Sequence, residues 1–166
     1  MKKCLLIVVL SLVMAFTWGG EGLSQTQKEM TLTGTNISGA TSKVFPLDKD
    51  PIVMQVESMG VRVDDSGGGP FHEISTHIVA IGYVDKGVLT FKGIETHMDK
   101  DGDKVIWEIA QSPGAARGSG TGKIIGATGK FTGWQGTMEY ATKVPKGFPG
   151  GTSRWICREV MKITTK

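Results

Sequence analysis

Histidine and glutamate side chains are the residues of this sequence best suited to acid–base chemistry. His72, His77 and His97 are its histidines, and Glu95 lies between the last two in a β-rich stretch. An imidazole titrates near neutral pH, and a buried carboxylate beside it can exchange protons with a substrate. We therefore predict His77 and Glu95 as candidate catalytic residues. The alternative is an ordinary polar cross-strand pair.

Two stretches resemble ligand-binding loops but lack essential members. Aspartates alternate in 99–103 as calcium ligands would, yet Lys104 stands where an EF-hand needs glycine and Ala110 where it needs glutamate. The glycine-rich run 118–123 lacks the Lys-Ser or Lys-Thr pair of a phosphate loop, and no helix is predicted after it. We expect a hairpin turn and a bent strand at these places, with no metal and no cofactor.

Large aromatic side chains are frequent enough to line a cavity for an apolar molecule. Such cavities are mostly apolar and carry a few polar groups that orient the ligand. The residues predicted to line the cavity or bind the ligand are His97, Trp107, Phe91, Tyr83 and Tyr140. The alternative is that the aromatic side chains fill the core.

The chain reads as an all-β protein. Its 24 glycines interrupt every candidate helix, no stretch keeps a 3.6-residue apolar period, and short β-rich runs recur between turns. Eight strands are predicted, over residues 28–35, 52–63, 71–84, 88–98, 104–111, 119–126, 131–141 and 153–164, with a loop from Ser38 to Pro51. Eight such strands can close into an antiparallel, calycin-like β-barrel whose interior holds side chains or one small ligand.

Two turns set the predicted register of the central strands. Asp85–Lys86–Gly87 suits a three-residue loop, which would place His77 opposite Glu95. The turn at 99–103 would place Glu95 opposite Trp107. The face predicted to point inward therefore comprises Tyr83, Ile81, Val79, His77, Leu89, Phe91, Glu95, Val105, Trp107 and Ile109.

The amino terminus has the pattern of a secretory signal. Lys2 and Lys3 precede an apolar run from Leu5 to Trp18, and small residues at Gly22 and Ser24 suit cleavage before Gln25. We predict a signal peptide over 1–24, a single barrel domain over 25–166, and a secreted or periplasmic protein without a retained membrane span. The apolar run is too short to cross a bilayer comfortably, although a retained anchor is the alternative.

The net charge and the cysteine content limit the expected partners and the possible disulfide chemistry of the protein. Removing the signal leaves 17 basic and 15 acidic residues, a net charge of +2, without a basic run. Nucleic acid is therefore not an expected partner. Cys157 would be the single cysteine of the mature chain, so no intramolecular disulfide can form. It is either buried and inert or available for a dimer link or other thiol chemistry.

The run from Gly126 to Met138, GATGKFTGWQGTM, is the most specific stretch. It resembles the glycine-punctuated hairpin of allene oxide cyclase-like barrels and the similar run of dirigent proteins, which share that barrel. The resemblance implies a cavity that holds a small hydrophobic molecule, cyclisation or coupling chemistry in some members, and homo-oligomers such as trimers. It covers about 13 residues and carries no catalytic residue over to this chain.

Three classes of function are compatible with these features. The first is binding of a small hydrophobic molecule, and the second is an isomerase or cyclase that uses the same cavity. The third is a structural or protein-interaction module with a filled barrel and no ligand. An enzyme needs an ionisable group inside the cavity, a carrier needs apolar walls and a mouth, and a structural module has no cavity.

Overall fold

A computed structural model describes residues 27–46, 52–86, 88–111, 118–145 and 153–165, almost all of them in β-strands. The predicted signal peptide lies outside these residues. No helix in the described ranges is long and apolar enough to cross a membrane. The strands are β1 (Lys28–Pro46), β2 (Ile52–Asp64), β3 (Ile74–Asp85), β4 (Val88–Met98), β5 (Lys104–Gln111), β6 (Ser119–Ala127), β7 (Gln135–Lys143) and β8 (Ser153–Thr165).

The eight strands form one closed antiparallel barrel in which each strand pairs with its neighbours in sequence. β1 completes the circle, because its residues 28–40 pair with β8 while residues 34–46 pair with β2. Closure gives both edges of the sheet a partner. The predicted fold class, an eight-stranded antiparallel β-barrel, is confirmed.

The loop predicted from Ser38 to Pro51 is wrong up to Pro46, because β1 continues to that residue; residues 47–51 lie outside the described ranges. Among the described residues, β1 beyond Ala40 pairs with β2 alone, and residues 41–45 are all exposed. A strand segment exposed on both faces needs no alternation of apolar and polar residues. Its polar run Thr41–Lys43 therefore has the composition of a loop.

The predicted register between β3 and β4 is wrong by one residue. Asp85 pairs with Val88, so the turn has two residues rather than three, and Lys86 has a φ of +49°. Such left-handed conformations are typical of tight two-residue hairpins. A shift of one residue exchanges the two faces of a strand. Ile74, Thr76 and Ile78 therefore point inward, and the odd-numbered residues of β3 point outward.

The predicted register between β4 and β5 is confirmed. Glu95 pairs with Trp107, and His97 pairs with Val105. The backbone N–H groups of Asp101 and Asp103 both donate to Asp99 Oδ1, at 2.8 and 2.9 Å. The aspartate run is thus a turn held by its own first side chain.

Aromatic rings close one end of the barrel, which we call the closed end. Phe71, just before β3, stacks on Phe131 of a short 3-10 helix (Gly129–Phe131) with ring centroids 5.8 Å apart. Trp134 packs edge-on against Phe131 at 4.9 Å. Phe71 and Phe131 are fully buried. The glycine-punctuated run identified in the sequence thus supplies part of this closure, and Gly129 and Gly133 adopt positive φ within it.

Gly93 provides a test of the corrected register. A Cβ at this position would lie 2.4 Å from the Cβ of Ala80 on β3, whereas at Gly126 the nearest atom would be 3.6 Å away. We expect Gly93→Ala to lower the free energy of unfolding by about 1–3 kcal/mol through overpacking. The matched control, Gly126→Ala, should leave it unchanged or raise it. Urea denaturation measures both, and equal effects would contradict the register.

Candidate functional site

A layer of buried polar side chains lies next to the aromatic closed end. Strand alternation brings these side chains inward from β1, β2, β3, β4 and β8. Its buried members are Asn36, Ser58, Arg62, Asp64, Thr76, Glu95, His97 and Glu159. Buried polar groups are costly unless they are paired, so their hydrogen bonds define the site.

Arg62 connects the two sides of this layer. Its Nε donates to Glu159 Oε2 at 3.0 Å, and its Nη1 donates to the backbone carbonyl of Phe71 at 2.9 Å and to Asp64 Oδ2 at 3.3 Å. Gly34 makes room for the guanidinium, because a Cβ there would lie 2.6 Å from Nη2. The arginine thus joins β2, β8 and the segment that closes the barrel.

Glu95 is hydrogen-bonded to two side chains, one on β1 and one on its own strand β4. Its Oε1 accepts from Asn36 Nδ2 at 3.0 Å and lies 3.0 Å from His97 Nε2. Thr76 in turn donates to Asn36 Oδ1 at 3.0 Å, which fixes the orientation of that amide. Glu95 is therefore partnered by His97, two residues along the same strand, and by Asn36.

The electrostatic environment of Glu159 differs from that of Glu95. Burial and the neighbouring Glu95 carboxylate raise the pKa of Glu159 to about 7, although His97 and Arg62 act in the opposite direction. Its second oxygen, Oε1, is buried and has no hydrogen-bond partner among the described residues. The layer therefore holds a carboxyl group whose charge is only partly compensated.

A cavity of about 580 Å³ lies at the opposite end of the barrel, which we call the open end. Its position follows from its wall, which includes residues at or near the ends of β5, β6, β7 and β8. The lining residues are Phe91, Gln111, Gly118, Tyr140, Thr142, Val144, Ser153 and Trp155. Most of the exposed surface of the cavity wall is apolar. The volume of the cavity falls within the range of sites that hold small molecules.

Tyr140 connects the cavity to the polar layer. Its hydroxyl is buried, has no hydrogen-bond partner in the part of the chain that is described, and lies over Gly120, where a Cβ would be 2.3 Å from it. Burial, followed by the nearby Cys157 and Glu95, raises the pKa of Tyr140 far above its ordinary value. Tyr140 thus lies in the cavity wall with a neutral hydroxyl, and its cross-strand partner on β8 is Glu159 of the polar layer.

Cys157 is a free thiol on the inward side of β8. Thr142 donates a hydrogen bond to its Sγ at 3.3 Å. Burial, and then the carboxylate of Glu159, raises the pKa of Cys157 to about 12. Since the thiolate is the reactive form, these surroundings favour an inert thiol.

Five of the predicted site residues point into the barrel but do not form one cluster. Glu95 and His97 are hydrogen-bonded in the polar layer, and Trp107 is fully buried with its ring 5.9 Å from that of His97. Phe91 and Tyr140 line the cavity at the open end. Their catalytic or binding roles remain predictions.

His77 and Tyr83 lie on the outside of the barrel, so their predicted inward orientation is wrong. His77 pairs across the sheet with Thr96 rather than Glu95, and its Nε2 lies 2.9 Å from Glu57 Oε1 in a half-exposed pair. Tyr83 is 41% exposed. Both errors come from the one-residue shift in the hairpin that joins β3 to β4.

Arg62, Glu159 and Asn36 are site residues that sequence reasoning missed. Arg62 alternates with apolar residues in the run GVRVD, where the valines Val61 and Val63 are exposed and the arginine is buried. A prediction from hydrophobic alternation alone would place the valines of this strand inside the barrel and the arginine outside. The pairing of Gly34 with both Asp64 and Glu159 brings these distant segments together, and no local motif marks it.

Solved structures similar to this chain share its architecture. The pterocarpan synthase dirigent protein GePTS1 superposes with a TM-score of 0.55 over 89% of this chain and 98% of its own, at 10% sequence identity. The pterocarpan synthase dirigent protein PsPTS1 gives a TM-score of 0.48 over 84% and 95%, at 8% identity. No protein-family model and no curated sequence matches the chain.

The chain folds as a dirigent-type β-barrel. At 10% identity this likeness concerns the fold, because one barrel architecture supports many unrelated functions. Function in this dirigent-type barrel therefore has to be argued from its own polar layer and cavity.

The buried ion pair of Arg62 provides a test of the polar layer. Arg62→Ala should lower the free energy of unfolding by about 3–5 kcal/mol, because Glu159 and Asp64 would keep buried charges without their cation. The control is Arg158→Ala, which removes an exposed guanidinium that pairs with Asp65 and that water already screens. Urea denaturation of the two variants should give a large and a small change. Similar changes would contradict the role of Arg62.

Proposed function

We propose that this dirigent-type barrel binds a small, largely apolar molecule with one polar group in the cavity at its open end. The observation that carries the proposal is the pairing of apolar walls with one buried, unpartnered hydroxyl. Phe91 and Trp155 face each other edge-on with ring centroids 6.5 Å apart, and Tyr140 lies in the same wall. Apolar walls provide affinity, and a few polar groups provide orientation; the polar side chains in this wall are Tyr140, Gln111, Thr142 and Ser153.

The hydroxyl of Tyr140 gives the proposal its chemical selectivity. A buried hydroxyl without a partner costs about 1–3 kcal/mol, so a ligand atom that accepts its hydrogen bond would relieve that penalty. Because its pKa is raised, Tyr140 stays a donor at neutral pH. The favoured ligand therefore carries a hydrogen-bond acceptor, such as a hydroxyl or carbonyl oxygen, at one end of an apolar body.

A solved structure with the same fold is compatible with this proposal. GePTS1 is named as a pterocarpan synthase dirigent protein, which describes that protein, and the proposal for this chain rests on its own cavity. The cavity of about 580 Å³ favours ligand binding over a filled-barrel structural module, the competing class.

Binding of two matched probes tests the proposal. We expect 2-naphthol, which has one hydroxyl, to bind more tightly than naphthalene, with quenching of tryptophan fluorescence as the measure. Tyr140→Phe should weaken 2-naphthol about 3- to 10-fold, the value of one hydrogen bond, and leave naphthalene unchanged. Tyr83→Phe, a change of the same kind on the outer surface, is the control. Failure of both probes to bind the wild-type protein would favour the structural module.

Isomerase or cyclase activity in the same cavity is a second candidate function. The observation that favours it is the cross-strand pairing of Tyr140, in the cavity wall, with the buried Glu159 of β8, which places ionisable groups beside the cavity. Proton transfer requires such groups near the reacting atoms. A compound recovered on native purification distinguishes the two functions: a carrier returns it unchanged on incubation, and an isomerase converts it to a product of equal mass.

Export is part of the same proposal and rests on the sequence. Residues 1–24 combine a basic start, an apolar run and small residues at the cleavage positions. We expect the protein isolated from the secreted or periplasmic fraction to begin at Gln25, as intact-mass spectrometry can show. A full-length chain recovered from membranes would contradict cleavage and favour the retained anchor.

A further inference from the structure

Three side chains of metal-ligating types converge inside the barrel. Glu95 and His97 share the inner face of β4, and Glu159 reaches the same point from β8. One potential ligand atom from each lies within 4.8 Å of the other two, and all three residues are buried. A nitrogen and two carboxylate oxygens suit divalent first-row cations such as Zn²⁺ and Mn²⁺.

One atom of this cluster is available for a further bond. Glu159 Oε1 is buried without a hydrogen-bond partner in the described ranges, and His97 directs its Nε2 towards Glu95 Oε1 at 3.0 Å. Arg62 Nε donates to the other oxygen of Glu159, Oε2, and Asn36 Nδ2 donates to Glu95 Oε1. Hydrogen bonds of this kind orient ligands in metal sites, so these two residues would form the supporting shell.

The charge of the layer also favours a cation. Glu95, Glu159 and Asp64 are buried carboxylates, and Arg62 is the one buried lysine or arginine in the part of the chain that is described. Three carboxylates thus share the interior with one guanidinium, and a divalent cation bound among them would stabilise their ionised forms away from water.

We propose that Glu95, His97 and Glu159 bind a divalent first-row transition-metal cation inside the barrel. The site goes beyond the proposed ligand binding and does not depend on it. Three protein ligands leave further coordination positions for water or another small ligand. Ca²⁺ and Mg²⁺ fit less well, because they prefer a larger set of oxygen ligands.

Zinc binding to the exported protein tests this site. After treatment with a chelator and its removal, we expect Zn²⁺ to bind one-to-one in isothermal titration calorimetry and to raise the melting temperature, while Mg²⁺ at the same concentration does neither. Glu159→Gln keeps the size of the side chain and an oxygen that can accept from Arg62. It should weaken Zn²⁺ binding about 100-fold or more. Circular dichroism of this variant verifies the fold.

The half-exposed pair of Glu57 and His77 supplies the matched control. It offers the same two groups at 2.9 Å on the outer surface. The double variant Glu57→Gln, His77→Asn should bind Zn²⁺ as the wild type does. Loss of binding in this variant, or unchanged binding in both Glu159→Gln and His97→Asn, would overturn the site. Absence of any Zn²⁺ binding to the wild type would also overturn the site. It would indicate that bound protons compensate the buried carboxylates.

Discussion

The ion pair between Arg62 and Glu159 spans the interior of the barrel from β2 to β8. Closing eight strands forces every second side chain inward, and here several of those side chains are charged. The guanidinium is therefore the constraint on which the interior depends. It pairs with Glu159 and Asp64, binds the carbonyl of Phe71 and so fixes the segment that closes one end. Gly34 follows from the same constraint, since any side chain at that position would occupy the space of the arginine.

This arrangement divides the interior into three zones. Aromatic rings fill the closed end, the polar layer lies next to them, and the apolar cavity occupies the open end. A fully apolar core would be easier to stabilise, because buried ion pairs contribute little net stability relative to well-packed apolar groups. Retention of several ionisable groups in a small barrel is therefore better explained by a function for the interior than by stability. The proposed ligand and the proposed cation use neighbouring zones, with Tyr140 between them.

The barrel could be predicted from the sequence because glycine-rich turns and short strands recur along the chain. Glu95 and Trp107 were placed correctly, since the turn at 99–103 gives the same pairing for a three- or a five-residue loop. His77 and Tyr83 were misplaced because two- and three-residue loops at Asp85 both fit the local composition, and one residue reverses a whole strand. Arg62 and Glu159 could not be found locally. They meet only because β1 pairs with both β2 and β8, a contact that closure alone creates.

The outer surface explains why alternation misleads in this chain. Val61, Val79 and Ile81 are exposed, whereas Arg62, Glu95 and Glu159 are buried. The usual pattern of apolar residues inside and polar residues outside is thus partly inverted on β2, β3 and β4. An inverted strand indicates that its polar side chains have partners inside, because burial without them is unfavourable. Here those partners are largely each other. Two of the buried atoms without a hydrogen-bond partner in the described residues, Tyr140 Oη and Glu159 Oε1, belong to side chains of the proposed ligand site and the proposed cation site. The exceptions to simple alternation therefore mark the interior residues of both proposed sites, which no motif in the sequence marks.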